Sequence, residues 1–277
     1  MQRSLRVPIL AYHATNVDGD TYATNDHVAL ADDLRLLDAL GFQVVPLTRV
    51  VDALLSDTAM LPERSIALTF DDGTDFDFHD RVHPTQGLQR GMLNILRDFA
   101  NAHGAGRQPQ LHATAFVVAS PQAREELDRR SMVGAGWWGD AWWPQAVASG
   151  LLDIGNHSWD HNHALVTNTL PRARADTFET VDTPALADYQ IRQAHDYIAQ
   201  RAPNAAADLF AYPFGETNAF LLNEYFPGGQ ARTGVRAAFT TQATHVTQHS
   251  NRWALPRYVC GAAWRSSQEL RALLTAV

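Results

Sequence analysis

The sequence holds a single cysteine, Cys260, so no internal disulfide can form and the disulfide-framed secreted class is excluded. Long apolar runs are missing too: no stretch approaches the roughly 20 residues that span a bilayer. There is no basic run, and 22 Lys+Arg against 30 Asp+Glu give a net charge of −8 at pH 7. A nucleic-acid backbone or an anionic membrane surface is a poor partner for such a chain. The N-terminal segment Met-Gln-Arg-Ser-Leu-Arg-Val-Pro-Ile-Leu has neither a sustained apolar region nor a small-residue cleavage site. As written it predicts a cytoplasmic protein, and a secreted or periplasmic one if a signal segment has been removed. Internal repeats, low-complexity tracts and long linkers are also absent, which favours one domain over residues 1–277.

The rest of the composition is that of a globular chain. Hydrophobic residues make up 45% and charged residues 19% of the 277 positions. At this size roughly 75% of the unfolded surface can be buried, so neither a disulfide nor a metal is needed for stability. Histidine is plentiful, with twelve copies, several of them near aspartates. Because imidazole titrates near neutrality and binds metals, their placement leads the functional reading.

Strands and helices alternate along the chain. Apolar runs predict strands at 7–12, 42–46, 65–70, 114–118, 152–155 and 209–212, with two more near 237–241 and 254–259. Leu30, Leu34, Leu37 and Leu40 form a helical stripe over 28–41, closed by Gly41. Further helices are expected at 47–56, around Met92–Phe99, and at 143–149, 185–201 and 267–276. Such alternation predicts an α/β fold with a mostly parallel sheet closed into a barrel. The polar stretches 74–90, 120–141 and 162–184 are expected as loop insertions at one end of that sheet.

Asp71-Asp72, His157 with His161, and Tyr212-Pro213 each follow a predicted strand directly. In a parallel barrel the C-terminal strand ends share one face, so these three groups would converge there. Asp72, His157 and His161 offer one carboxylate and two imidazoles, a set suited to zinc or a similar divalent ion with coordination positions left open.

Three segments resemble the signature motifs of the polysaccharide deacetylases, the NodB-homology carbohydrate esterases of family four. They are Thr69-Phe-Asp-Asp-Gly73, Gly155-Asn-His-Ser-Trp-Asp-His161 and Phe210-Ala-Tyr-Pro-Phe-Gly215. The resemblance continues in VPILAYH near the start, GFQVVPLTRVVDALL, and WALPRY near the end, so it covers most of the chain. It implies a distorted (β/α) barrel holding one divalent metal, zinc first, with cobalt, nickel or manganese as substitutes. Asp72, His157 and His161 would be the ligands and Asp71 the general base that takes a proton from water. The backbone N–H of Tyr212 would help hold the oxyanion, and Tyr212, Pro213 and Phe214 would border the substrate.

The implied substrate is an acetylated carbohydrate, from which N-acetyl or O-acetyl groups of an amino-sugar polymer or oligomer are removed. Alternatives are a related amidase or imidase acting on a non-sugar substrate, and a carbohydrate-binding pseudo-enzyme. Trp138 and Trp142, in a run of four tryptophans, would supply a stacking platform for sugar rings, with Trp143 starting a helix. Two departures matter. Ala211 stands where many members carry an arginine, leaving Arg257 of Leu-Pro-Arg either as a strand-end ion pair or as the replacement partner of Asp71. The family's Leu-x-His acid motif is not visible near the C-terminus, so His245, His249, His163 and His13 all remain candidates for the general acid.

Overall fold

In the computed structural model, residues 5–56, 58–104, 106–166 and 175–275 are described. The first strand, β1 (Ile9–His13), is set off by Pro8 from the two-residue strand Arg6–Val7, which pairs antiparallel with Val246–Thr247. Helix α1 (Asp26–Ala39) follows, capped by Asn25, whose side chain accepts from the N–H groups of His27 and Val28. Next come β2 (Gln43–Val44), α2 (Leu47–Leu55), β3 (Ser65–Asp71), α3 (Met92–His103) and β4 (Ala113–Val117). Helices α4 (Pro121–Ser131) and α5 (Trp143–Ala148) precede β5 (Leu152–Asn156). Helix α6 covers residues 184–201, β6 is Leu209–Ala211, β7 is Ala237–Phe239, β8 is Tyr258–Val259, and α7 is Ser267–Thr275.

The main sheet runs β7-β6-β5-β4-β3-β1-β8, every pair parallel, with β2 alongside the start of β3. Residues 255–259 bring its two ends together. Leu255 bridges Phe239 of β7, while Tyr258 and Val259 pair with Leu10 and Ala11 of β1. The regular strand expected over 254–259 is cut to two residues, because Pro256 has no N–H to donate to a ladder. The result is a distorted barrel in a single domain.

Strand alternation sorts side chains between the ring and its helical coat. Ile9, Ala67, Phe116, Leu209, Phe239 and Leu255 pack together in one buried cluster inside the ring. Leu10, Leu68, Phe70 and Ala115 point the other way and meet Leu30 and Leu34 of α1 and Leu93 and Leu96 of α3. Gly155 leaves room for the filling of the ring: a Cβ there would lie 2.5 Å from Phe116 Cδ1.

Two of the expected loop insertions carry regular structure. Residues 121–131 of the 120–141 insertion form α4, with Ser120 as N-cap and Pro121 in the first turn. The 74–90 insertion contains a hairpin, Arg81–His83 against Gly87–Gln89. Part of the third, 167–174, lies outside the described residues. No helix among the described residues is long and apolar enough to cross a membrane.

Candidate active site

Every residue of β3 is buried, and Thr69 and Asp71 share the face that looks into the ring. Asp71 meets Arg257 there in a two-bond fork, with Nη1 donating to Oδ1 at 2.7 Å and Nη2 to Oδ2 at 2.8 Å. Arg257 is fully buried. It also donates to Thr69 Oγ1 and the Thr240 carbonyl, and lies 5.3 Å from the centre of the Phe116 ring. Burial alone would push the Asp71 carboxyl up; Arg257, helped by His157, overcomes that and holds it well below the usual carboxylate range. Asp71 is therefore ionised and fixed in orientation.

The chain then turns sharply. Asp72 and Gly73 have φ of 77° and 76°, and a Cβ on Gly73 would lie 2.5 Å from Val117. The Asp72 carbonyl accepts from Val118 N–H at 3.2 Å and from Trp138 Nε1 at 3.0 Å. These bonds turn the Asp72 carboxylate away from Arg257 and toward the histidines.

His157 follows β5, and its Nδ1 lies 2.8 Å from the Ala211 carbonyl. An N–H at Nδ1 donating to that oxygen leaves Nε2 as a free lone pair. Ser158 Oγ accepts from His161 N–H at 2.9 Å, closing a turn that brings the second imidazole back over the first. Burial, with the imidazoles of His157 and His163, pushes His161 well below its ordinary value, so its ring is neutral.

Asp72 Oδ1 lies 3.7 Å from His157 Nε2 and 3.8 Å from His161 Nε2. The three ligand atoms fall within 4.8 Å of one another. Ligands about 2.0–2.2 Å from one zinc are at most roughly 4.4 Å apart, so both nitrogen-to-oxygen gaps fit around a single ion. A metal ligand must be deprotonated, and the neutral ring of His161 is already in that form.

A cavity of about 480 Å³ opens over this group, lined by His13, Asp71, Asp72, His157, His161 and Phe214 among others. His13 ends β1 and pairs in register with Asp71. The other three histidines lie elsewhere. His245 bonds Tyr258 OH and precedes Val246–Thr247, which pairs with the chain at the opposite end of β1. His249 sits exposed beside Gln248. His163 Nδ1 lies 3.8 Å from Asp176 Oδ1.

The structure corrects three expectations about the substrate side. Tyr212 N–H donates to the Phe239 carbonyl at 3.0 Å as part of the sheet, so it is not free to hold an oxyanion. Pro213 is buried and does not line the cavity; Tyr212 does line it, though buried, with its hydroxyl donating to the Trp253 carbonyl, and Phe214, 40% exposed, presents its ring at the rim. Trp138 and Trp142 are no sugar platform: Trp142 is buried against Phe78, and Trp138 is tied under the Asp72 turn. Asp77 belongs to no motif, yet it is fully buried close to the site. Burial, then the charges of Asp72 and Asp71, push its carboxyl well above the usual range.

A family model for polysaccharide deacetylases matches residues 59–226, which include all three signature segments. The chain belongs to that family. Solved structures agree on the fold. IcaB from Ammonifex degensii superimposes with a TM-score of 0.65 at 17% identity, covering 98% of this chain and 97% of that one. The Streptococcus pyogenes deacetylase PplD, solved in complex with acetate, gives 0.64 at 17% identity over 99% and 100% of the two chains. A polysaccharide deacetylase from Bacillus cereus gives 0.64 at 13% identity, covering 98% of this chain and 70% of the other. No curated protein matches the chain.

Proposed function

We propose that the protein is a metal-dependent deacetylase that removes N-acetyl or O-acetyl groups from an amino-sugar polymer or oligomer. The observation that carries this reading is the meeting of Asp72, His157 and His161 beside an ionised Asp71 at the floor of one cavity. Zinc best suits two imidazoles and a carboxylate, and Asp72 Oδ1, His157 Nε2 and His161 Nε2 would hold it. When bound, such an ion supplies Lewis-acid chemistry, polarising a carbonyl and acidifying water.

The remaining work falls to the chain. Asp71 takes up, at a carboxylate oxygen, the proton of the water that attacks the acetyl carbon. Arg257 keeps that carboxylate ionised and aimed, the part that Ala211 cannot play. Expelling an amine requires a proton on its nitrogen, and the imidazole of His13 donates it, since among the candidate acids it alone lines the cavity. Phe214 offers an exposed ring against which a sugar face can rest.

The test is acetate release from N-acetylglucosamine oligomers and from a small acetyl ester, before and after chelation and zinc return. Activity should vanish with the metal and come back with zinc. Removing His13 (His13→Ala) should slow amide cleavage by on the order of 10²–10⁴ and ester cleavage less, because an alkoxide leaves more readily than an amide anion. Zinc-loaded protein that releases no acetate from any acetylated sugar or ester would overturn the reading.

A further inference from the structure

Helix α6 is not a regular α-helix. Residues Asp188–Arg192 form a π turn between the α-helical stretches Pro184–Ala187 and Gln193–Arg201. Insertions of this kind carry a local cost and cluster at functional sites. Here the backbone oxygens of the turn serve another segment. The Gln190 carbonyl accepts from Trp159 N–H at 2.7 Å, and the Ile191 carbonyl accepts from Asn156 Nδ2 at 2.9 Å.

The Gln190 side chain reaches the same segment. Its Nε2 donates to Asp160 Oδ1 at 2.6 Å, and its Oε1 faces Asp160 N–H at 3.4 Å. Asp160 Oδ1 in turn accepts from Asn162 N–H, and Oδ2 from Tyr189 OH. Asp160 and Ser158 are fully buried. The segment so held, residues 156–162, carries both histidines and has Ser158, His161 and Asn162 at φ of 70°, 63° and 50°. Side chains with a Cβ adopt that region at a cost of about 1 kcal/mol or more each, so the surrounding bonds must hold them there.

We infer that Gln190, presented by the π turn, is a positioning residue for the metal centre: through Asp160 and Trp159 it fixes the relative placement of His157 Nε2 and His161 Nε2. This rests on the metal reading above. Gln190→Met keeps the volume of the side chain and removes both of its bonds to Asp160. Zinc affinity, measured by competition with a chromophoric chelator, should fall 10- to 100-fold, the range for losing a group that orients metal ligands. The visible spectrum of the cobalt(II) form should change in intensity and position, a readout that a loss of general stability does not move. Asp160→Asn, which keeps an acceptor at Oδ1 for both Gln190 and Asn162, should stay within about threefold of wild-type affinity with an unchanged spectrum.

Should Gln190→Met fail to fold, Gln190→Ala, where water can reach Asp160, should show the same direction of change. A folded Gln190 variant with wild-type zinc affinity and cobalt spectrum overturns the inference and leaves the metal reading standing. Wild-type protein that binds no zinc overturns the metal reading, and this inference with it.

Discussion

Two turns, at the ends of β3 and β5 on either side of β4, deliver the candidate ligands, and they solve the same backbone problem differently. The aspartate turn after β3 is short. It places Asp72 at φ 77° and Gly73 at φ 76°, using a glycine where the chain passes within contact of Val117. The histidine turn after β5 has no glycine at its three positive-φ positions and relies on hydrogen bonds from Asn156, Ser158, Asp160 and α6. The first turn is fixed by close packing of Gly73 on β4 together with two bonds to the Asp72 carbonyl, the second by polar contacts within itself and with a separate helix. Substitutions of residues other than the ligands should therefore act mostly on folding in the first turn, and mostly on metal binding in the second.

The largest expected loss on the aspartate side comes from its buried ion pair. Arg257→Ala leaves Asp71 buried and uncompensated, costing about 3–5 kcal/mol in stability near neutral pH, readable by urea unfolding. The sign with pH follows from the direction of the shift. Asp71 is depressed in the folded state, so its contribution is present above the unfolded carboxylate value and is lost as pH falls toward the folded one. Without Arg257, burial dominates and the carboxyl rises. The variant should be least stable relative to wild type near neutrality, and the acid limb of its rate profile should move to higher pH. Arg257→Lys should recover part of this, lacking the planar fork. A variant with wild-type unfolding and an unshifted acid limb would break the assignment.

A smaller effect is expected at Gly73. Gly73→Ala forces a side chain into a positive-φ position and against the backbone of β4, so it should destabilise by about 2 kcal/mol or more. Ser158→Ala makes the contrast. It removes one bond of the histidine turn, about 1 kcal/mol, and should weaken zinc binding while shifting the unfolding midpoint little. If the two variants exchange behaviours, the distinction between the turns is wrong. The smallest change is expected of Phe214→Ala, a several-fold rise in KM for a sugar oligomer with kcat held, because the exposed ring supplies only stacking contact.

The sequence made the strand ends readable because each site residue follows a short apolar run: SIALTF before Asp71, LLDIGN before His157, LFA before Tyr212. Parallel pairing then puts those ends on one face. What escaped has physical causes. Helix α4 is PQAREELDRRS, which buries only Ala123, Arg124, Leu127 and Asp128, so no apolar stripe marks it. Its available signals were the Ser-Pro start and the arginines of its last turn. The tryptophans at 138 and 142 look alike in sequence to an exposed platform; burial depends on Phe78 and the Asp72 carbonyl, contributed by segments some 60 residues away. Nothing in the sequence shows that the Tyr212 N–H is taken up by a parallel neighbour at Phe239. A π turn inside a helix leaves no mark in hydrophobic spacing, which is why the role of Gln190 emerges only from the structure.

The central claim is that two adjacent aspartates have separate tasks, Asp71 holding a proton-accepting carboxylate against Arg257 and Asp72 facing the imidazoles. The direct measurement is zinc content and acetate release for Asp71→Asn and Asp72→Asn, side by side with wild type. The account predicts about one zinc per chain in wild type and in Asp71→Asn, with turnover in the latter down by on the order of 10²–10⁴, and little zinc in Asp72→Asn. Zinc lost from Asp71→Asn but kept by Asp72→Asn, or turnover left intact in Asp71→Asn, would contradict it.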